Sequence, residues 1–183
     1  MWRALSPVRR AELMVLGFFS VWLGLVLVAP FTLPPGSVTD LSGRVNAIDN
    51  AEQIAEMNPL AAAIYWLGDA NCHQMASRSY FLNGNQMPFC ARDLGLFAGL
   101  VLGMAVALVT QIRPRWYLVA LGFFPMALDG VWQLLTDYES TNAVRLLTGI
   151  LAGVSAAMLI HLIALTYKQG SGDQGSGEKI ASK

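Results

Sequence analysis

Three runs of the chain carry no charged side chain: Leu13 to Phe31, Leu94 to Ile112 and Leu146 to Tyr167. Each reaches the roughly 17–25 residues that an α-helix needs to cross about 30 Å of hydrocarbon, and each is read as a membrane span. A fourth stretch, Trp116 to Thr136, is long enough but holds Asp129. A carboxylate at helix centre costs on the order of 2.5–3.5 kcal/mol on insertion scales. The stretch is still read as a span, because its flanks are apolar and the other three need a return crossing. Composition agrees: 55% of the 183 residues are hydrophobic and 13% charged, against about a quarter charged in soluble domains. Twelve basic and twelve acidic side chains cancel, so there is no basic surface of the kind that nucleic acid requires.

The predicted fold class is therefore an all-α integral membrane protein. Residues 1–167 form a single membrane domain with spans at about 13–31, 94–112, 116–136 and 146–167 and an outer segment over 32–93. Arg3, Arg9 and Arg10 ahead of the first run resemble a signal peptide, but the run is long and lacks an Ala-x-Ala-like end, so it is read as an uncleaved helix. Eight basic residues, Arg3, Arg9, Arg10, Arg113, Arg115, Lys168, Lys179 and Lys183, fall on one side of this topology. Arg44, Arg78, Arg92 and Arg145 fall on the other, which predicts a cell-membrane protein with both termini cytoplasmic. The Gly/Ser-rich charged stretch over 168–183 reads as a disordered cytoplasmic tail.

The outer segment opens on the breaker cluster Leu33-Pro34-Pro35-Gly36. Asn58-Pro59 gives a helix start, with Asn as N-cap and Pro at the first helical position, and predicts a helix from Pro59 to about Ser77. Its apolar part, Leu60 to Leu67, is too short to cross. An interfacial helix with Tyr65 and Trp66 at headgroup level is expected, a re-entrant one being the alternative. Asn83-Gly84-Asn85 reads as a turn back to the second span.

Polar residues that are poor lipid-facing filler gather at the outer face: Cys72, His73 and Arg78; Cys90, Arg92 and Asp93; Glu139, Asn142 and Arg145. Asp129 joins them by depth, about 20 Å along its helix from Trp116, and Gln133 follows one turn on. Arg92, Gly95, Gly99 and Gly103 recur at helical spacing, as do Asn142, Arg145, Gly149 and Gly153. Such small-residue ridges let helices approach closely and imply packing without chemistry. They would turn both arginines inward to form, with Asp129 and Gln133, a polar pocket. The alternative for Arg92, Arg145 and Glu139 is snorkelling or interfacial pairing. Met14, Met104, Met126 and Met158 read as core filler, and His161 as a buried, hydrogen-bonded histidine whose partner the sequence does not reveal.

Cys72 and Cys90 admit three readings: a disulfide worth about 3 kcal/mol on loop-entropy grounds, a metal site, or free structural thiols. The metal reading uses Cys72, His73 and Cys90, with Asp129 as a further candidate ligand, for zinc or another transition metal, although the spacing matches no zinc motif.

Together these motifs are Cys72-His73-Gln74, Arg78-Ser79, Pro88-x-Cys90-Ala91-Arg92-Asp93-x-Gly95, Asp129-Gly130-x-x-Gln133 and Glu139-Ser140-x-Asn142-x-x-Arg145-x-x-x-Gly149. Their order resembles a family of small prokaryotic multi-pass membrane proteins known as a domain of unknown function, over about residues 60 to 160. The resemblance implies that these positions act as a unit and brings no reaction with it. The chain has no phosphate-binding Gly-rich loop, His-Glu-x-x-His helix, Gly-x-Ser-x-Gly elbow or Cys-x-x-Cys pair.

Three functional readings follow. The first is a membrane-embedded enzyme with Asp129, Gln133 and Glu139 as candidate catalytic residues. Arg78, Arg92, Asn142 and Arg145 would then bind a lipid headgroup or another anionic, phosphate-bearing small molecule. The second is a small transporter or channel-type subunit with Asp129 as ion or proton site, which four spans could serve only as a homo-oligomer. The third is a structural scaffold in the lipid bilayer.

Overall fold

The computed structural model describes residues 6–41 and 43–181, with side chains described as far as residue 167. Helix α1 covers Pro7–Val28 and runs through a 3-10 turn, Ala29–Thr32. The outer segment then supplies α2 (Ala51–Ala55), α3 (Pro59–Asn71), a 3-10 turn at Ala76–Arg78 and strands β1 (Phe81–Leu82) and β2 (Asn85–Gln86). Three helices complete the chain: α4 (Ala91–Thr110), α5 (Trp116–Leu135) and α6 (Asn142–Ala181). Four segments are long and apolar enough to cross a membrane: Pro7–Thr32, Ala91–Thr110, Trp116–Leu135 and Asn142–Tyr167. The expected four-span, all-α architecture is what the chain adopts. The side chains of the expected tail over 168–183 lie outside the described residues, and the α6 backbone runs to Ala181.

Local sequence sets the helix ends. Ser6 caps α1 by accepting from Arg9 N, with Pro7 at the first position, so the first span starts before the charge-free run and includes Arg9, Arg10 and Glu12. Asn58 caps α3 through Leu60 N and Ala61 N, each at 3.1 Å. Helix α3 stops at Asn71, short of the expected Ser77. Cys72 is extended and Gln74 takes a left-handed conformation (φ 43°), which sends its side chain inward to donate to Pro88 O at 2.8 Å. The Asn83-Gly84 turn has φ of 55° and 73°, the two positive values of a tight hairpin turn, and closes β1 on β2.

The glycine ridges on α4 and α6 face each other. A methyl group at Gly95 or Gly99 would collide with the carbonyls of Leu146 and Ile150, and one at Gly149 or Gly153 with those of Arg92 and Leu96. Backbone therefore lies against backbone, as small-residue ridges permit. Helix α1 packs mainly on α4 and α5 on α6. Met104 and Met158 fill the core, but Met14 is exposed on the outside of α1, not in the core as expected, and Met126 is half-buried.

The outer segment has its own core, in which Leu33, Leu41, Ile64 and Met87 pack on Val26 and Ala29 at the end of the first span. Its loops are held by buried amides. Asn85 Oδ1 accepts from Val38 N at 3.0 Å while its Nδ2 donates to Pro30 O and Pro34 O. Gln86 Oε1 accepts from Leu41 N at 2.8 Å. Tyr65 is fully buried here and donates to Gln86 O at 2.6 Å, so it is a core residue and not the headgroup-level aromatic expected; Trp66 is exposed.

Candidate functional site

Where the outer segment meets α4, α5 and α6, one chain of polar contacts runs through three helices. Arg92, on the first turn of α4, pairs through Nη2 with Asp129 Oδ2 on α5. One helical turn on, Gln133 Nε2 donates to the same oxygen at 3.0 Å, and Gln133 Oε1 accepts from Arg145 Nη2 of α6 at 2.9 Å. Arg145 also lies 3.7 Å from Glu139 Oε1, to which Arg78 donates through Nε at 3.2 Å. Asn142 Nδ2 ties the start of α6 to Ser79 O at 3.1 Å. The sequence expectation is that Asp129 lies within reach of Arg92 or Arg145 with both arginines turned inward; of the two, Arg92 is its direct partner in this arrangement. The 55% exposed Glu139 sits at its outer rim.

Three guanidiniums in this chain face two carboxylates, and not every N–H is used. Arg145, 2% exposed, has Nη1 buried without a partner among the described residues, and so has Arg92 at Nε. Both arginines line a polar cavity of about 80 Å³ that Arg78, Gln133 and the two cysteines also line. Buried donors without acceptors are costly and mark a place where an acceptor-rich group fits.

The cysteines stand on the cavity wall as free thiols. Their sulfurs and a carboxylate oxygen of Asp93 all lie within 4.8 Å of one another, close enough to hold one metal ion. Cys90 Sγ is 3.2 Å from Asp93 Oδ2. His73, the expected third ligand, is not in this group. His73 lines the same cavity, but the extended backbone at Cys72 leaves it exposed while Cys72 is buried, and it does not join the sulfurs. Nor is Asp129 in it, because its carboxylate is engaged by Arg92 and Gln133. The neighbouring Cys90 sulfur, with burial, pushes the Cys72 thiol far above its usual range. The same contact holds the Cys90 thiol below its usual value, so Cys90 is the more acidic of the pair. Asp93 is the residue that sequence reasoning left without a role, and the signal was its place three residues after Cys90, one turn along a helix.

The family model described as "Predicted membrane protein (DUF2085)" matches residues 72–159, a span that opens at Cys72 and takes in the whole polar chain just described. An uncharacterized protein of Methanocaldococcus jannaschii is 35% identical over 107 residues, covering 55% of this chain and 68% of that relative. The chain belongs to this family of predicted membrane proteins. A second uncharacterized relative, from Methanothermobacter thermautotrophicus, is 28% identical over 95 residues, which cover 50% of this chain and 86% of the relative. No solved structure matches the chain closely enough to be significant.

Proposed function

We propose that this family member is a membrane enzyme that binds an amphiphile by its oxyanion headgroup, with the three arginines as the clamp. The observation that carries the reading is Arg145: a guanidinium 2% exposed, with a free N–H, at a cavity too small for much more than a phosphate-sized group. Burying such a cation for structure alone is expensive, whereas bidentate guanidinium contacts suit phosphate geometry. Asp129 and Gln133 act by holding Arg92 and Arg145 in place, and Glu139 closes the rim. Asn142 braces the start of α6 beside them.

A lipid, as opposed to a free anion, is favoured by a second opening. Across the first turn of α4 from the cavity, a groove of about 330 Å³ is lined by Trp22, Leu67, Phe89 and Phe97 and reaches Asp93. An acyl or prenyl chain fits such a groove while the headgroup faces the arginines. Between the two openings, Cys72, Cys90 and Asp93 suit a zinc-like divalent ion, which thiolates and a carboxylate bind in tetrahedral geometry with one position open. Such an ion would supply Lewis-acid chemistry at the headgroup. The eight-to-four distribution of basic residues supports both termini in the cytoplasm of a cell-membrane protein, with the pocket on the outer side.

The test is a ³¹P NMR titration of purified protein with a short-chain phosphatidic acid and, separately, with inorganic phosphate. The reading expects saturable lipid binding that weakens at least tenfold in Arg145→Gln and weak phosphate binding. Lipid binding unchanged by that substitution overturns it. Phosphate binding as tight as lipid binding removes the amphiphile and leaves only an anion site.

A further inference from the structure

At the end of the bundle opposite the arginines, Glu12 of α1 and His161 of α6 meet across 149 residues of chain, 1% and 0% exposed. His161 Nδ1 is 2.6 Å from Glu12 Oε1, and Nε2 is 2.9 Å from the carbonyl of Ile112 in the α4–α5 connection. A carbonyl only accepts, so Nε2 carries a hydrogen. Nδ1 and Oε1 are then close enough that one proton must lie between them, on the acid or on the ring.

The second carboxyl oxygen decides where it rests. Glu12 Oε2 is buried without a partner among the described residues. An ionised carboxylate shares its charge over both oxygens and would leave half of it undersolvated among apolar helices, whereas a neutral acid leaves only a carbonyl-type oxygen there. The cations near this end are Arg9 and Arg10 on α1 and Arg113 and Arg115 in the connection; Arg9 donates to Leu108 O. Among the described side chains, helix α4 brings no ionisable group to this end, α5 only Tyr117 and α6, besides His161, only Tyr167; Lys168 follows it in the sequence.

We propose that Glu12 and His161 form a membrane-buried proton-binding site, holding one proton on Glu12 Oε1 that is donated to His161 Nδ1. The site is separate from the arginine pocket and its ligand is the proton itself. When the proton leaves, the hydrogen bond that joins α1 to α6 leaves with it.

The experiment uses the full chain in lipid bilayers at neutral pH, with ¹⁵N-labelled histidines; only His73 and His161 contribute signals. Expected are a neutral His161 ring with hydrogen on Nε2 and a strongly hydrogen-bonded, bare Nδ1, together with an infrared carbonyl band of a buried carboxylic acid. That band disappears in Glu12→Gln, while thermal stability changes little, because the amide still donates to Nδ1. A doubly protonated His161 ring, or no acid band in the native chain, overturns the proposal. Should Glu12→Gln fail to fold, His161→Gln serves: the acid band must persist with a shifted frequency, and its loss overturns the proposal equally.

Discussion

Arg145 and Gln133, on neighbouring helices, are joined by a 2.9 Å hydrogen bond from a guanidinium that is 2% exposed. The amide is the hinge of the polar chain, accepting from Arg145 with one atom and donating to Asp129 with the other. Gln133→Leu keeps the volume but removes both contacts. The expected result is normal membrane insertion, a loss of roughly 2 kcal/mol of stability from the buried groups left unpaired, and weaker headgroup binding.

Asp129→Asn removes the charge facing Arg92. Breaking a buried ion pair costs roughly 3–5 kcal/mol, and the lower part of that range applies here because Arg92 keeps 28% of its side-chain exposure. Thermal unfolding in detergent should show the loss, and Arg92→Gln combined with Asp129→Asn should recover part of it. A double variant no more stable than Asp129→Asn alone would mean that the two charges are not coupled.

The thiol pair gives a pH signature. The folded-state value of Cys90 is depressed, so its contribution to stability is present above the ordinary thiol pKa and fades as pH falls through the folded value. Cys72 is raised, so its contribution is present below the ordinary value and fades as pH rises towards the folded one. Alkylation should accordingly strike Cys90 first near neutral pH. In Cys72→Ala the alkylation midpoint of Cys90 should rise, because the neighbouring thiol that depresses it is gone; an unmoved midpoint would refute the pairing.

Much of this was legible in the sequence. Charge-free runs of the right length give the spans, and glycines at helical spacing give the α4–α6 contact. What could not be read depends on distant or directional facts. His161 is readable as a buried, hydrogen-bonded histidine, but its partner Glu12 lies 149 residues away, one residue before the first charge-free run, so the pair is not identifiable until the bundle closes. His73 adjoins Cys72 in sequence and lines the same cavity, yet it is exposed and stands outside the sulfur cluster, while Asp93, a helical turn from Cys90, lies beside the sulfurs.

The ridge itself is testable by contrast. Gly153→Val should destabilise by at least ~3 kcal/mol, since the added side chain meets the backbone of Leu96 and Gly99. Gly17→Ala and Gly24→Ala on α1, where an added methyl meets nothing within 4 Å, should be neutral or slightly stabilising.

The headgroup clamp is tested most directly by the dipolar coupling between ¹⁵N-labelled arginine side chains and lipid phosphorus in bilayers containing phosphatidic acid. A coupling to a buried guanidinium, corresponding to about 4 Å and abolished by Arg145→Gln, is the predicted result. Couplings that are identical in the native chain and the variant, arising only from exposed arginines at the membrane surface, would contradict the account.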